Sequence, residues 1–257
     1  MTCIWESCIN RSIATKKTSK LNILYTRLEP GSPLTSEDLA ALDISADLAV
    51  HYVRAGWLMR LARGVYCRPN EELKLHPCLL LLQRKLAGLH VGGKSALDWY
   101  GVRQYVAQQS TLLLYGWADG HLPDWFTDRF PAQYHRKRLF DEDCDNLLHA
   151  MPFERREGAS QVSSPERALL ELLSEVGVRQ PLQEARELVE STYNLRVNVL
   201  RELLQHCTSV KTVRLCLQLG REGGLPWAEK LDPDTLPTGS DRPWVSKSSD
   251  GLLVLKP

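Results

Sequence analysis

The sequence has no long apolar run. The longest, "CLLLL" at 78–82, is far too short to cross a bilayer, so no membrane role is expected. It also lacks a net charge of any size, with 32 Lys and Arg against 31 Asp and Glu. A nucleic-acid role must then come from local clusters of cations. No C-x-x-C occurs. The seven cysteines, at 3, 8, 67, 78, 144, 207 and 216, are odd in number, scattered and far from any suitable His pair, which argues against a structural zinc site. Reduced thiols suit a cytoplasmic protein. Cys207 and Cys216 lie in apolar helical patterns and read as small core residues. The seven histidines make no i, i+4 ligand pair. The acids of "DEDCD" (141–145) lack the closing Glu of a calcium loop. No catalytic set, metal site or cofactor site emerges, and the chain is not read as an enzyme. The start, "MTCIWESCINRSIATKK", has no apolar stretch of signal-peptide length, so a cytoplasmic location is expected.

What is present is a chain of 257 residues with 43% hydrophobic and 25% charged residues. That is enough for one large or two modest domains, each with its own core. Residues 20–70 have a clear order of elements. Leu21, Leu24, Tyr25 and Leu28 recur at helical spacing. "PGSP" breaks that helix. Thr35 or Ser36 caps a short second helix, with Glu37 and Asp38 in its first turn. Ser45 caps a third, over 46–55, with Leu48, Ala49, Tyr52 and Val53 facing in and Gly56 ending it. "WLMRLARGVYCRP" then reads as a hairpin turning at Gly64. Three helices and a hairpin make a winged helix-turn-helix.

Charge follows the same division. Between 45 and 68 Asp47 is the only acid, against Arg54, Arg60, Arg63 and Arg68, with Lys16, Lys17 and Lys20 just ahead. A recognition helix exposes polar side chains to base edges, and a wing places cations near phosphates. The DNA-binding set read from the sequence is Lys16, Lys17, Lys20, Ser36, Ser45, Asp47, His51, Arg54, Arg60, Arg63 and Arg68. The alternative is a winged helix used for protein docking, with solvated arginines.

"GWLMRLARGVYCRP" resembles the winged-helix domain of AbiEi-type antitoxins, regulators of type IV toxin–antitoxin systems in bacterial abortive infection, a form of phage defence. The residues that carry the likeness are Gly56, Leu58, Arg60, Arg63, Gly64, Val65 and Tyr66. The resemblance implies a transcriptional repressor that binds inverted repeats of double-stranded DNA in its own promoter. It also implies a nucleotidyltransferase-like toxin, opposed without a stable complex.

"GLHVGGKS" (88–95) matches the phosphate-loop pattern G-x-x-x-x-G-K-[ST]. Such a loop needs an apolar strand directly before its first glycine. Here "HPCLLLLQRKLAG" reads as a helix over 77–87, capped by Gly88. "GGKS" then reads as a turn and cap before the short helix "SALDWYG", closed by Gly101. Nucleotide binding is one rival function and a stand-alone winged-helix regulator or docking protein without a toxin partner is a second, and Lys94 with Ser95 at a helix start remains a candidate anion site. A Ser-Ala-Leu segment ending in Gly also resembles the region between the two AbiEi domains.

Farther on, "STLLLYG" (110–116) reads as a strand. "WFTDRF", "QYHRKRLF" (133–140) and "MPFERREG" (151–158) read as further short strands. His135 and Arg136–Lys137–Arg138 form a charge run, solvated or anion-binding. Ser164 caps a helix with Pro165 first and an apolar stripe of Ala168, Leu169, Leu172 and Leu173. Helices near 181–191, 195–206 and 209–219 follow. The Ser-Pro-Glu-Arg-Ala start again resembles AbiEi proteins, whose second domain is an α+β unit linked to antitoxin activity. "RPWVSKSSDGLLVLKP" folds as a terminal hairpin or is a disordered tail. The expected class is α+β: an extension over 1–19, a winged helix-turn-helix DNA-binding domain over 20–70, an α+β antitoxin domain over 71–225 and a tail over 226–257.

Overall fold

The computed structural model describes residues 20–102, 111–141, 160–248 and 251–255. The chain divides into two units, residues 1–73 and 74–257. No helix among the described residues is long and apolar enough to cross a membrane.

The first unit runs α1 (Lys20–Arg27), β1 (Leu34–Thr35), α2 (Ser36–Ala40), α3 (Ala46–Arg54), β2 (Met59–Ala62) and β3 (Val65–Cys67). The strands form an antiparallel sheet in the order β1-β3-β2. This is the winged helix-turn-helix arrangement. Thr35, not Ser36, caps α2. Its hydroxyl accepts from the Asp38 N–H at 3.2 Å, and the Asp38 carboxylate accepts from the Thr35 N–H at 2.7 Å, a reciprocal capping box. Leu24, Leu34, Leu39, Ile44, Tyr52 and Leu58 form the centre of the core.

The second unit runs α4 (Leu75–Lys85), β4 (His90–Val91), α5 (Gly93–Trp99), β5 (Leu112–Gly116), α6 (Asp124–Thr127), β6 (Ala132–Arg136), α7 (Pro165–Ser174), α8 (Leu182–Glu190), α9 (Val197–Gln205), α10 (Val210–Glu222), β7 (Trp244–Ser248) and β8 (Gly251–Leu255). Its sheet has the order β4-β5-β6, antiparallel then parallel. "WFTDRF" is a helical turn and not a strand. Pro123 precedes α6, and the Phe126 N–H closes back on the Pro123 carbonyl at 2.9 Å. The expected strand at 151–158 lies outside the described residues.

Helix α7 is buried on every side from Glu166 to Ser174, not only along its apolar stripe. It packs against α5, α8, α9 and α10. Polar residues on a buried helix need internal partners. Glu166, for one, takes a two-pronged pair from Arg196, at 3.0 and 2.8 Å. Trp227 is 1% exposed, and its indole N–H donates to the Thr192 carbonyl at 2.7 Å. The tail is an antiparallel hairpin of β7 and β8. Arg214, 3% exposed, holds it: the guanidinium donates to the carbonyls of Thr238 (2.6 Å), Arg242 (2.7 Å), Leu255 (3.4 Å) and Ser240.

Candidate nucleic-acid interface

Helix α3 begins at Ser45, whose hydroxyl accepts from the Leu48 N–H at 3.3 Å. It ends in a Schellman turn. The Trp57 N–H donates to the Tyr52 carbonyl at 2.9 Å and the Gly56 N–H to the Val53 carbonyl at 3.1 Å. Gly56 supplies the required positive φ of 72°. Ala49 and Tyr52 face the core. Asp47, Val50, His51 and Arg54 are exposed. Their spacing of i, i+3, i+4 and i+7 places them on one face.

The hairpin of β2 and β3 turns at Gly64, φ 73°. Its carbonyl accepts from the Ser36 N–H at 3.0 Å, so the wing turn and the start of α2 meet. Pairing slips between Arg60 and Ala62, leaving a bulge at Leu61. A bulge bends its strand and re-aims neighbouring side chains. Arg60 and Arg63 are exposed beside it. Lys20 is exposed and donates to the Asp43 carbonyl. Lys16 and Lys17 lie outside the described residues.

Arg68 is placed elsewhere. Its guanidinium donates to the carbonyls of Tyr25 and Leu28, pairs with Glu71 at 3.3 Å and stacks 4.7 Å above the Tyr25 ring. The side chain is 13% exposed. The charge pattern of the sequence puts Arg68 among the DNA contacts, but the end of α1 offers it free carbonyls, and it serves as their internal partner.

The glycine-rich motif in the second unit proves to hold an internal anion. A helix, α4, precedes Gly88, as the sequence implies. The N–H of Gly93 at the start of α5 donates to the Glu171 carboxylate at 3.0 Å. Glu171 also accepts from Ser163 (2.9 Å), Arg167 (2.7 Å) and His90 (2.8 Å). His90 presents its other ring nitrogen to the Gly88 carbonyl at 2.7 Å, so both nitrogens donate. Burial alone would raise the Glu171 pKa. The charges and hydrogen bonds of His90 and Arg167 instead hold it down at about 2.

The candidate anion site at Lys94 and Ser95 is likewise engaged. Lys94 pairs with Glu184. The buried Ser95 hydroxyl accepts from the Leu113 N–H at 2.9 Å. The basic run at 136–138 borders a hollow of about 500 Å³ lined by Trp117, Arg136, Lys137 and Arg138. Arg136 pairs with Asp119. Lys137 donates to Ser174 and Glu175 at the end of α7, where a cation also complements the helix dipole. His135 is buried 3.8 Å from Glu175. Burial lowers its pKa against the pull of that carboxylate.

Two family models cover most of the chain. Residues 17–108 match the N-terminal domain of the AbiEi antitoxin transcriptional regulator. Residues 109–256 match the AbiEi antitoxin transcriptional regulator of type IV toxin–antitoxin systems. The chain belongs to the AbiEi antitoxin family. That family is one of regulators and not of enzymes. No curated protein matches this AbiEi chain. Among solved structures, the RV2827C protein from Mycobacterium tuberculosis superposes with a TM-score of 0.58 at 16% identity, over 88% of this chain and 87% of that one. At that identity the likeness is one of fold.

Within this AbiEi chain the structure brings Asp47, His51 and Arg54 onto one face of α3, and joins Ser36 to the wing turn that carries Arg63. Three exposed apolar residues of this region were missed in the sequence. Val50 is 44% exposed on the α3 face, Trp57 is 42% exposed beyond its end and Met59 is 36% exposed in β2. Helical periodicity alone places Val50 with Asp47 and Arg54. Their apolar character sets them apart from the polar and basic residues that mark a DNA-contacting face.

Proposed function

We propose that this AbiEi-family regulator is a DNA-binding repressor of its own promoter and the antitoxin of a nucleotidyltransferase-like toxin. The observation that carries the reading is the exposed stripe of α3, followed directly by a bulged wing with two exposed arginines. A helix-turn-helix reads DNA with its second helix in the major groove. Here α3 supplies the base contacts through His51 and Arg54. Arg60, Arg63, Lys16, Lys17 and Lys20 supply phosphate contacts. Inverted repeats would present one half-site to each of two copies. Neutralisation of the toxin falls to the second unit and needs no stable complex.

Salt-dependent binding to a promoter fragment tests the DNA half of this reading. Arg60→Ala and Arg63→Ala should each weaken binding and lower the salt slope by about one unit per lost phosphate contact. Unchanged affinity and slope in both variants would reject the wing. Arg68→Met is the contrast: it should cost about 2 kcal/mol of stability by stranding the carbonyls it serves, with the slope of the folded protein unchanged.

A further inference from the structure

Val50 is the apolar member of the exposed α3 stripe. It lies mid-helix on α3, 44% exposed, among polar neighbours. A β-branched residue is a weak helix former, and a side chain 44% exposed leaves much of its apolar surface in water. Its two methyl groups stand at the centre of the stripe, between Asp47 on one side and His51 and Arg54 on the other.

In the major groove, thymine is the base whose edge carries an apolar group, the 5-methyl. The polar members of the stripe can hydrogen-bond to base edges, whereas Val50 gains only from apolar contact. We propose that Val50 reads a thymine 5-methyl group in each half-site and is a specificity-determining residue of this regulator. The inference rests on the DNA-binding reading above and adds which base the centre of the helix selects.

The test uses the full chain and the DNA upstream of its own gene, amplified with either thymidine or deoxyuridine triphosphate. Uracil keeps every hydrogen-bonding group and loses only the methyl. Wild-type protein should bind the uracil fragment about fourfold more weakly for each methyl contacted. Val50→Ala should bind both fragments equally, at the affinity that the wild type shows for uracil. Val50→Thr, which keeps one methyl, should fall between. Val178→Ala, which removes a valine that is 71% exposed in the second unit, should behave as wild type.

Equal binding of the two fragments by wild type would overturn the proposal. So would a uracil penalty that persists undiminished in Val50→Ala, because it would arise from DNA shape or another residue. Failure of wild type to prefer the thymine fragment over an unrelated duplex of equal length would instead overturn the DNA-binding reading itself.

Discussion

Glu171 is a buried carboxylate with four protein donors, held at a pKa of about 2. In the unfolded chain it titrates near its ordinary 4.5. Its folded pKa is depressed, so its stabilising contribution is complete above pH 4.5 and is lost as pH falls toward 2. Urea denaturation at stepped pH should show this loss in the second unit. Glu171→Gln should cost about 3–5 kcal/mol at neutral pH and flatten the profile across that window, because a partner is removed from a buried ionic cluster. An unaltered profile would show that another group titrates there. Little of this was legible in the sequence. The pattern of α7 marks Leu169 and Leu172 as inward and leaves Glu171 for solvent. Its partner His90 lies 81 residues away, and helical periodicity carries no information about such a neighbour.

Elements whose signals are local were legible. Ser45 and Ser164 cap helices, Gly56 ends α3, and β7 pairs with β8 as a hairpin. Those features depend on residues a few positions apart. "WFTDRF" misled because its aromatics suit a strand, while Pro123 starts a helical turn and packing buries Trp125 and Phe126 in it. The glycines of "GLHVGGKS" show how one pattern can serve two chemistries. At Gly92 an added Cβ would lie 2.2 Å from a Glu171 oxygen and 2.6 Å from the Tyr115 ring. The small residue is needed so that a carboxylate and a ring can approach the backbone. Gly92→Ala should therefore destabilise the second unit by about 3 kcal/mol or more. Lys94→Ala, which breaks a partly exposed pair, should cost no more than about 1 kcal/mol. Calorimetry with ATP and magnesium should show no binding to wild type. Micromolar binding abolished in Lys94→Ala would restore the nucleotide reading.

At the scale of the whole molecule, the near-zero net charge hides one local cluster, four arginines against a single acid over 45–68, and the two units divide the work we propose. The first has its own core and two helix caps. A fragment of residues 1–73 should bind the promoter, more weakly than the full chain if occupation of two half-sites is cooperative. Residues 74–257 should restore growth when co-expressed with the cognate toxin. Rescue by 1–73 and none by 74–257 would reverse the assignment. The hold of Arg214 on the tail adds a constraint of timing. A ribosome makes the buried guanidinium first and its acceptor carbonyls 24 to 41 residues later. Until they emerge, the cation has no partners and the body of the second unit cannot close around it. A message broken before the codon for Thr238 would thus yield a chain with a complete first unit and an unfinished second one.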